Sequence, residues 1–212
     1  SQHARALGAH WLGPDFVRHW RVVPQLKSVP ESRDRDAARR ALRIPPDAFV
    51  ICSFGAIDPT KLNLELLDAL AASTLAKDPS CHLYFVGEPH GGAYGDLLRR
   101  RVEGVSDRMK VRVTGWADAR RFEAYLAAAD IAVQLRTDSR GETSRAILDC
   151  MAGGLPTIIN AHGSASEVAP DVAVVLADRF AIADLAAAIE RLFADRAGRA
   201  ALGQAARSAI LR

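Results

Sequence analysis

Cysteine is scarce in this chain, with three among 212 residues: Cys52, Cys81 and Cys150. None stands at the CxxC spacing that zinc ribbons and thioredoxin-like redox sites require, so the sequence supports neither kind of site. Each lies in an apolar strand or helix pattern. We therefore expect three small, buried, unpaired thiols, as in proteins of a reducing compartment.

Signatures of metal binding and of several enzyme classes are missing as well. The six histidines are scattered without HxxxH or HExxH spacing, and we predict no bound metal. For His162, which follows a predicted strand, an ordinary loop histidine is the favoured interpretation. The chain lacks the P-loop GxxxxGK[ST], the dinucleotide GxGxxG after the first strand and the hydrolase elbow GxSxG. These absences argue against P-loop NTPases, dinucleotide-dependent enzymes and serine hydrolases.

Long apolar runs are also absent, and no signal peptide is recognisable, so we predict a cytoplasmic protein with at most peripheral membrane contact. Hydrophobic residues make up 49% and charged residues 25% of the chain, and the net charge is +3. This small basic excess argues against a nucleic-acid partner. The arginine clusters fall in amphipathic patterns and are expected on solvated helix faces: Arg39-Arg40, Arg99–Arg101 and Arg120-Arg121.

The sequence does contain a regular alternation of short apolar runs and amphipathic helix patterns. A continuous apolar run of this length is typical of a strand buried on both faces of a parallel sheet. The alternation predicts the α/β class, with a doubly wound, Rossmann-like parallel sheet and helices on both faces. The predicted strands are 48–54, 82–86, 111–114, 131–135, 156–160 and 172–176.

Glycine closes several of these strands. Gly55, Gly87 and Gly115 each follow a predicted strand, and Gly141 lies in the loop after another. The carboxyl ends of parallel strands meet at one edge of the sheet, which is where such sheets bind ligands. An ordinary turn explains any one of these glycines, but the four together favour a ligand-binding edge.

The segment 135–156, LRTDSRGETSRAILDCMAGGLP, reads as a strand end, a polar loop and a helix with a Gly-Gly-Leu-Pro stop. Thr143 or Ser144 can cap this helix, and its remaining free amides and dipole favour an anion, most often a phosphate. Glu142 would lie beside that anion. Asp149, about two turns later on the same side, either accepts hydrogen bonds from ligand hydroxyls or pairs with Arg145.

Two more side chains at the predicted edge have two interpretations each. A lysine at a helix start is repelled by the helix dipole, so Lys61 either faces an anion or is simply exposed to solvent. Trp116 directly follows Gly115. It either offers an aromatic face to a flat base or packs under its own loop.

Taken in chain order, these strands, glycine turns and the segment 135–156 resemble the C-terminal, nucleotide-sugar-binding half of GT-B retaining glycosyltransferases, specifically the glycosyltransferase family 4 group. The resemblance runs from about Arg21 to Arg212. The block 149–156 is similar to the family's Glu-Ala-Met-Ala-x-Gly-x-Pro helix end. The other matches are the glycine turn Gly55–Lys61, the strand and glycine Leu83–Gly87, and the segments Val113–Trp116 and Tyr125–Val133.

The chain departs from that family at two places. Ala56 stands where the family commonly has a phosphate-pairing arginine, and Arg136, Arg140 or Arg145 are the candidates to replace it. The family's paired glutamates fall on Gly141 and Asp149, so that Glu142 comes one position late. The resemblance therefore leaves the register of the sugar-contacting carboxylate open.

The resemblance implies transfer of a sugar from a nucleotide diphosphate sugar to an acceptor, retaining and metal-independent, in bacterial polysaccharide or glycolipid synthesis. The nucleotide sugar is a substrate, and no cofactor is implied. Lys61 and the Thr143 and Ser144 amides would stabilise the diphosphate electrostatically. Asp149 would hold the ribose. The implied catalytic residues are Lys61 and Glu142, and the implied donor-binding residues are Gly55, Lys61, Gly115, Trp116, Gly141, Glu142, Thr143, Ser144 and Asp149.

The resemblance also implies a domain division. Residues 1–30 would be an interdomain crossover and remnant of an N-terminal domain, and 31–212 the C-terminal nucleotide-sugar-binding domain. A sugar or lipid-linked acceptor would bind through the missing N-terminal domain, and we expect the isolated half to transfer nothing. The alternatives are a non-catalytic nucleotide-sugar-binding or regulatory module, a GT-B-like epimerase, and a phosphorylase, for which Lys61 would be the one lysine at this edge.

Overall fold

A parallel sheet lies at the centre of the computed structural model, which describes residues 1–29, 33–89 and 91–211. Its strands follow the order β3-β2-β1-β4-β5-β6, and every neighbouring pair is parallel. This order confirms the predicted doubly wound sheet. The strands are β1 (Phe49–Phe54), β2 (Cys81–Val86), β3 (Lys110–Val113), β4 (Ile131–Gln134), β5 (Thr157–Asn160) and β6 (Val174–Leu176).

Helices cover both faces of the sheet, because alternate strand residues point to opposite sides and all six residues of β1 are buried. Helices α4, α5 and α8 pack on the face formed by residues such as Ile51, and α3 and α6 pack on the face that contains Cys52. In chain order the helices are α1 (Gln2–Leu12), α2 (Pro14–Val17), α3 (Arg35–Leu42), α4 (Asn63–Ala72), α5 (Ala93–Val105), α6 (Ala119–Ala128), α7 (Arg145–Ala152), α8 (Ile182–Ala194) and α9 (Arg196–Ile210).

The two central strands diverge toward the carboxyl edge. Strand β1 pairs with β4 only at Ile51 with Ile131 and at Cys52 with Ala132. Farther along, the Gln134 side-chain amide bridges the gap, with its nitrogen 3.1 Å from Phe54 O and its oxygen 2.7 Å from Phe54 N. The strand order reverses between β1 and β4, and the carboxyl edge at such a reversal is the usual ligand position in these sheets.

The prediction that the arginine clusters are solvated is wrong for Arg39, which is 1% exposed. Its guanidinium donates to Ala128 O at 3.0 and 3.1 Å, Ala48 O at 2.8 Å and the Asp130 carboxylate at 2.8 Å. Asp130 also accepts the Val50 amide at 2.7 Å. Buried carbonyls and a carboxylate need donors, and this side chain supplies them. The remaining arginines of the predicted clusters are exposed: Arg40, Arg99–Arg101, Arg120 and Arg121.

The first 29 residues lie beside the sheet. Residues 21–24 form no strand within the described part of the chain. The predicted domain boundary at 30 falls on residues 30–32, outside the described ranges. Several large apolar side chains of this region are 43% to 91% exposed: Trp11, Leu12, Phe16, Trp20, Val23 and Leu26.

The burial of the three thiols confirms another prediction: Cys52, Cys81 and Cys150 are free and at most 3% exposed. Burial raises the pKa of Cys81 and Cys150 to about 12. Over the described ranges, no helix has the length and apolar character needed to cross a membrane.

Candidate functional site

The turn after β1 is held close to the end of β2. The Gly55 amide donates to Val86 O at 3.1 Å. A Cβ atom at Gly87 would lie 1.9 Å from the Gly55 carbonyl oxygen, so a side chain at position 87 would displace the turn. Glycine at position 87 therefore sets the position of the first turn against its neighbouring strand.

A cavity of about 560 Å³ opens beside this turn at the carboxyl edge. Trp116 is 70% exposed and forms part of the wall, so the alternative in which it packs under its loop is wrong. Gly115, with a φ of 71°, carries Trp116 into this position. The lining combines backbone groups with a few apolar side chains, as in many ligand pockets: Gly55, Ala56, Val86, Gly87, Glu88, Pro89, Gly91, Trp116, Ala117 and Phe122.

Lys61 ends a short 3₁₀ turn, Pro59–Lys61, that follows the first glycine turn. The Asp58 carboxylate caps that turn by accepting the Thr60 amide at 2.9 Å. Lys61 is half-buried, so the simply exposed alternative is wrong. Burial and the charge of Arg136 lower the pKa of Lys61 to about 8, although Asp58 and Glu142 act in the opposite direction. The Lys61 ammonium thus lies within electrostatic reach of a second cation.

That second cation, Arg136, follows β4. Its backbone is fixed by Asn160, which is 1% exposed: the Arg136 amide donates to Asn160 Oδ1 at 2.8 Å, and Asn160 Nδ2 donates to Arg136 O at 2.7 Å. Its guanidinium donates to Ser144 Oγ at 3.1 Å. Burial lowers the pKa of Arg136, against the raising effect of Glu142 and Asp58.

Helix α7 begins at this point, and Ser144 is its N-cap, as predicted. The Ser144 hydroxyl oxygen accepts the Ile147 amide at 3.5 Å. The other amides of the first turn have no acceptor within the helix, because their partners would lie before its start. Thr143, one residue earlier, is exposed. Two cations and the positive end of a helix therefore converge, as an anion site requires.

The loop before α7 explains why the carboxylate stands at position 142. Gly141 is buried with a φ of 95°, and a Cβ atom there would lie 3.1 Å from Ala4 Cα in α1. A glutamate at position 141 would be strained and crowded. Glu142 is exposed, and its carboxylate accepts the Arg140 amide at 2.7 Å.

The Glu142 carboxylate is held in its ionised form. Burial would raise its pKa, but hydrogen bonds from its own amide and that of Arg140 lower it, as do the charges of Lys61 and Arg136, and the net shift is downward. Glu142 therefore belongs electrostatically to the same cluster as the two cations. As an anion, it can accept hydrogen bonds from ligand hydroxyls.

Helix α1 supports this loop from outside. The Glu167 carboxylate accepts the Gln2 amide at 3.1 Å and the His3 amide at 2.6 Å. At the same end of the helix, Ser1 Oγ donates to Gly141 O at 3.3 Å. The first residues of the chain thus contact the loop that carries Glu142.

Asp149 lies in α7 with 17% of its side chain exposed. It forms an ion pair with Lys27, and its other carboxylate oxygen lies 3.7 Å from Arg145 Nε. The predicted pairing with Arg145 is therefore present, and Lys27 is a partner that sequence reasoning missed. His162 pairs with Asp178, with 2.7 Å between His162 Nδ1 and the carboxylate. Within the described ranges, no group of three or more His, Cys, Asp or Glu side chains is arranged to hold a metal ion.

Residues 34–209 match the family described as glycosyl transferases group 1. The chain belongs to this family. The D-inositol 3-phosphate glycosyltransferase of Segniliparus rotundus is 33% identical over 187 residues, which cover 82% of this chain and 40% of that protein. The enzyme of that name from Geodermatophilus obscurus is 34% identical over 178 residues, 77% of this chain and 37% of that protein. This group 1 chain spans about two fifths of the length of these curated relatives.

Solved structures of glycosyltransferases share its fold. Sucrose-phosphate synthase from Thermosynechococcus elongatus superposes with a TM-score of 0.76 at 26% identity, covering 100% of this chain and 52% of that one. The Anabaena protein HepE in complex with UDP-glucose gives 0.70 at 24% identity, covering 84% and 47%. The C-terminal domain of a glycosyl transferase group 1 protein from Francisella tularensis gives 0.74 at 20% identity, covering 85% and 92%.

Proposed function

We propose that this chain is the donor-binding half of a glycosyltransferase that uses a nucleotide diphosphate sugar. One observation carries the proposal: Lys61 and Arg136 converge on the start of α7, beside the cavity that Trp116 lines. Neither cation has a carboxylate partner within 4.0 Å in the described part of the chain. Half-buried like charges are unfavourable by themselves, and a bound dianion would neutralise them.

In the proposed complex the diphosphate occupies this anion site. Lys61, the first-turn amides of α7 and the helix dipole stabilise the negative charge that grows on the leaving diphosphate. The carbon–oxygen bond between the sugar and the diphosphate breaks, and the acceptor hydroxyl oxygen bonds to the same sugar carbon. The hydroxyl proton passes to the departing diphosphate. Because the protein supplies the positive charge, we propose that transfer needs no metal. We also propose that the acceptor attacks from the face that the diphosphate leaves, which retains the configuration of the sugar carbon.

The remaining donor groups are assigned to neighbouring residues. The base would enter the cavity between Gly55 and Trp116, where an aromatic face and free backbone groups are available. The ribose hydroxyls would share Asp149 with Lys27. Glu142 would accept hydrogen bonds from the sugar, because its carboxylate is ionised beside the diphosphate cations. Lys61 and Glu142 are thus the proposed catalytic residues, the same two that the sequence resemblance implies.

The acceptor, a sugar or lipid-linked molecule of bacterial polysaccharide or glycolipid synthesis, would be bound by an N-terminal domain. Residues 1–30 would form the crossover to it. The apolar side chains exposed in this region, such as Trp11 and Phe16, support this division because solvated proteins rarely leave so many large apolar groups together. A cytoplasmic location with peripheral contact at the inner face of a membrane is part of the same proposal.

Isothermal titration tests the donor site directly. We expect the chain to bind at least one of UDP, GDP and ADP, and to lose that binding in Lys61→Gln. The matched control is Lys77→Gln, at a lysine outside the site. If none of the three nucleotides binds, the donor-site proposal is wrong.

Turnover separates catalysis from a non-catalytic binding module. The full-length enzyme should hydrolyse or transfer the sugar of the nucleotide that binds, keep its activity in excess EDTA and give a product of unchanged anomeric configuration by NMR. Glu142→Gln should reduce turnover by more than it weakens donor binding. Donor binding without any turnover in the full-length protein would favour the binding module.

A further inference from the structure

We infer that Arg136 is the second diphosphate-binding cation and that it replaces the arginine missing at position 56. This inference rests on the proposed donor site. The sequence leaves Arg136, Arg140 and Arg145 as candidates. The structure distinguishes them by what fixes each side chain and by what each charge affects.

Hydrogen bonds fix both the backbone and the side chain of Arg136. The side chain of the buried Asn160 bonds both the amide and the carbonyl oxygen of Arg136, so the Arg136 Cα cannot shift without breaking two partly buried hydrogen bonds. The guanidinium donates to Leu135 O at 3.1 Å and to the N-cap oxygen of Ser144 at 3.1 Å. A guanidinium has five N–H donors, so these two bonds leave others for a phosphate. Arg136 is therefore a preorganised donor at the start of α7.

The other two candidates are placed differently. Arg145 has 79% of its side chain exposed and lies 3.7 Å from Asp149, toward the ribose end of the proposed site. Arg140 is exposed, and its backbone amide, not its side chain, donates a hydrogen bond to the Glu142 carboxylate. Neither charge is among the causes that shift the pKa of Lys61, whereas Arg136 is one of them. Of the three arginines, Arg136 is the one whose charge lowers the pKa of Lys61.

Position 56 lies in the turn after β1, and Arg136 lies in the loop after the neighbouring strand β4. Ala56 is exposed and lines the cavity next to Gly55. The loop after β4 meets the first turn where the Thr137 amide donates to Thr60 O at 3.1 Å. We therefore expect an arginine introduced at position 56 to reach the anion that Arg136 binds. This geometry allows one cation to substitute for the other.

The experiment compares binding of UDP, GDP and ADP with that of their nucleosides, measured by titration calorimetry. For the diphosphate that the unaltered chain binds best, Arg136→Gln should weaken affinity about 10- to 100-fold, as expected for a lost charge-assisted hydrogen bond. Affinity for the nucleoside should change less than about 3-fold, since the base site is intact. The controls Arg140→Gln and Arg145→Gln should change diphosphate affinity by less than about 3-fold each.

A rescue variant tests the replacement itself. Ala56→Arg combined with Arg136→Gln should recover diphosphate affinity to within about 3-fold of the unaltered chain; a double variant no tighter than Arg136→Gln would overturn the replacement. Thermal unfolding of the variants detects a folding defect. Arg136→Lys, which keeps the positive charge, serves as a second control for such a defect. If the unaltered chain binds a diphosphate and Arg136→Gln binds it equally well, this inference fails alone. If the unaltered chain binds none, the donor site itself fails.

Discussion

The Thr137 amide donates a hydrogen bond to the Thr60 carbonyl oxygen at 3.1 Å. This contact joins the loop after β4 to the turn after β1. Each loop carries one cation, Arg136 and Lys61, immediately beside the contact. The hydrogen bond therefore helps to fix two like charges near each other.

Donor binding should depend on pH through Lys61. Its pKa of about 8 lies below the ordinary value because of burial and Arg136, so the ammonium loses its proton as the pH rises through this region. Diphosphate affinity should therefore be highest near pH 7, where the terminal phosphate is ionised and Lys61 is largely protonated, and fall about 10- to 100-fold by pH 10. Titration calorimetry across this range measures it. Lys61→Arg, which stays charged, should remove the fall; an equally steep fall in that variant would contradict the assignment.

Gly87→Ala should disrupt the first turn. The new Cβ atom would lie 1.9 Å from the Gly55 carbonyl oxygen, which is backbone and cannot rotate away. We expect a loss of about 1–3 kcal/mol in the free energy of unfolding and at least about 10-fold weaker nucleotide binding. Urea denaturation and calorimetry measure the two effects. Gly104→Ala is the matched control, because nothing lies within 4 Å of its Cβ position; equal effects in both variants would disprove the argument.

Asp149→Asn should remove discrimination between ribose and its deoxy forms. The unaltered chain should bind a nucleoside diphosphate about 10-fold or more tightly than its 2′,3′-dideoxy analogue, because a carboxylate is a strong acceptor for hydroxyl groups. The variant should bind the two with similar affinity. A carboxylate that only pairs with Lys27 and Arg145 would leave the discrimination unchanged, and that result would exclude the ribose role.

Arg39→Ala should destabilise the chain by about 3–5 kcal/mol, because it leaves the carbonyls of Ala48 and Ala128 without their side-chain donor and removes one of the two cations that pair with Asp130. Arg40→Ala, at the exposed neighbour, should change the free energy of unfolding by less than about 0.5 kcal/mol. Urea denaturation measures both. Similar values for the two variants would mean that the buried network contributes little.

The sheet could be predicted because most of its strands are short apolar runs, several of them closed by glycine, which is local information. The cap at Ser144 was predictable for the same reason. Arg39 was not, since nothing in the sequence distinguishes it from Arg40 until α3 is placed against the strand ends. The carboxylate at position 142 likewise depends on contact between Gly141 and α1, whose residues are far away in sequence.

The choice among three arginines depended on Asn160, a residue that the sequence analysis did not single out. A polar residue at the end of an apolar strand was the one available indication that a buried side-chain contact is needed there. Its partners, Arg136 and Asp178, lie 24 and 18 residues away in sequence. Such pairings follow from the strand order, and the sequence pattern does not contain them.

Asn160 Nδ2 also donates to Asp178 O at 3.1 Å. One amide side chain thus forms hydrogen bonds with both the segment after β4 and the segment after β6. Folding has already immobilised this part of the carboxyl edge before any ligand arrives. An incoming molecule then loses its own freedom but does not have to order the protein as well. The chain should consequently behave as a rigid receptor, in which tight association needs no loop closure from this half.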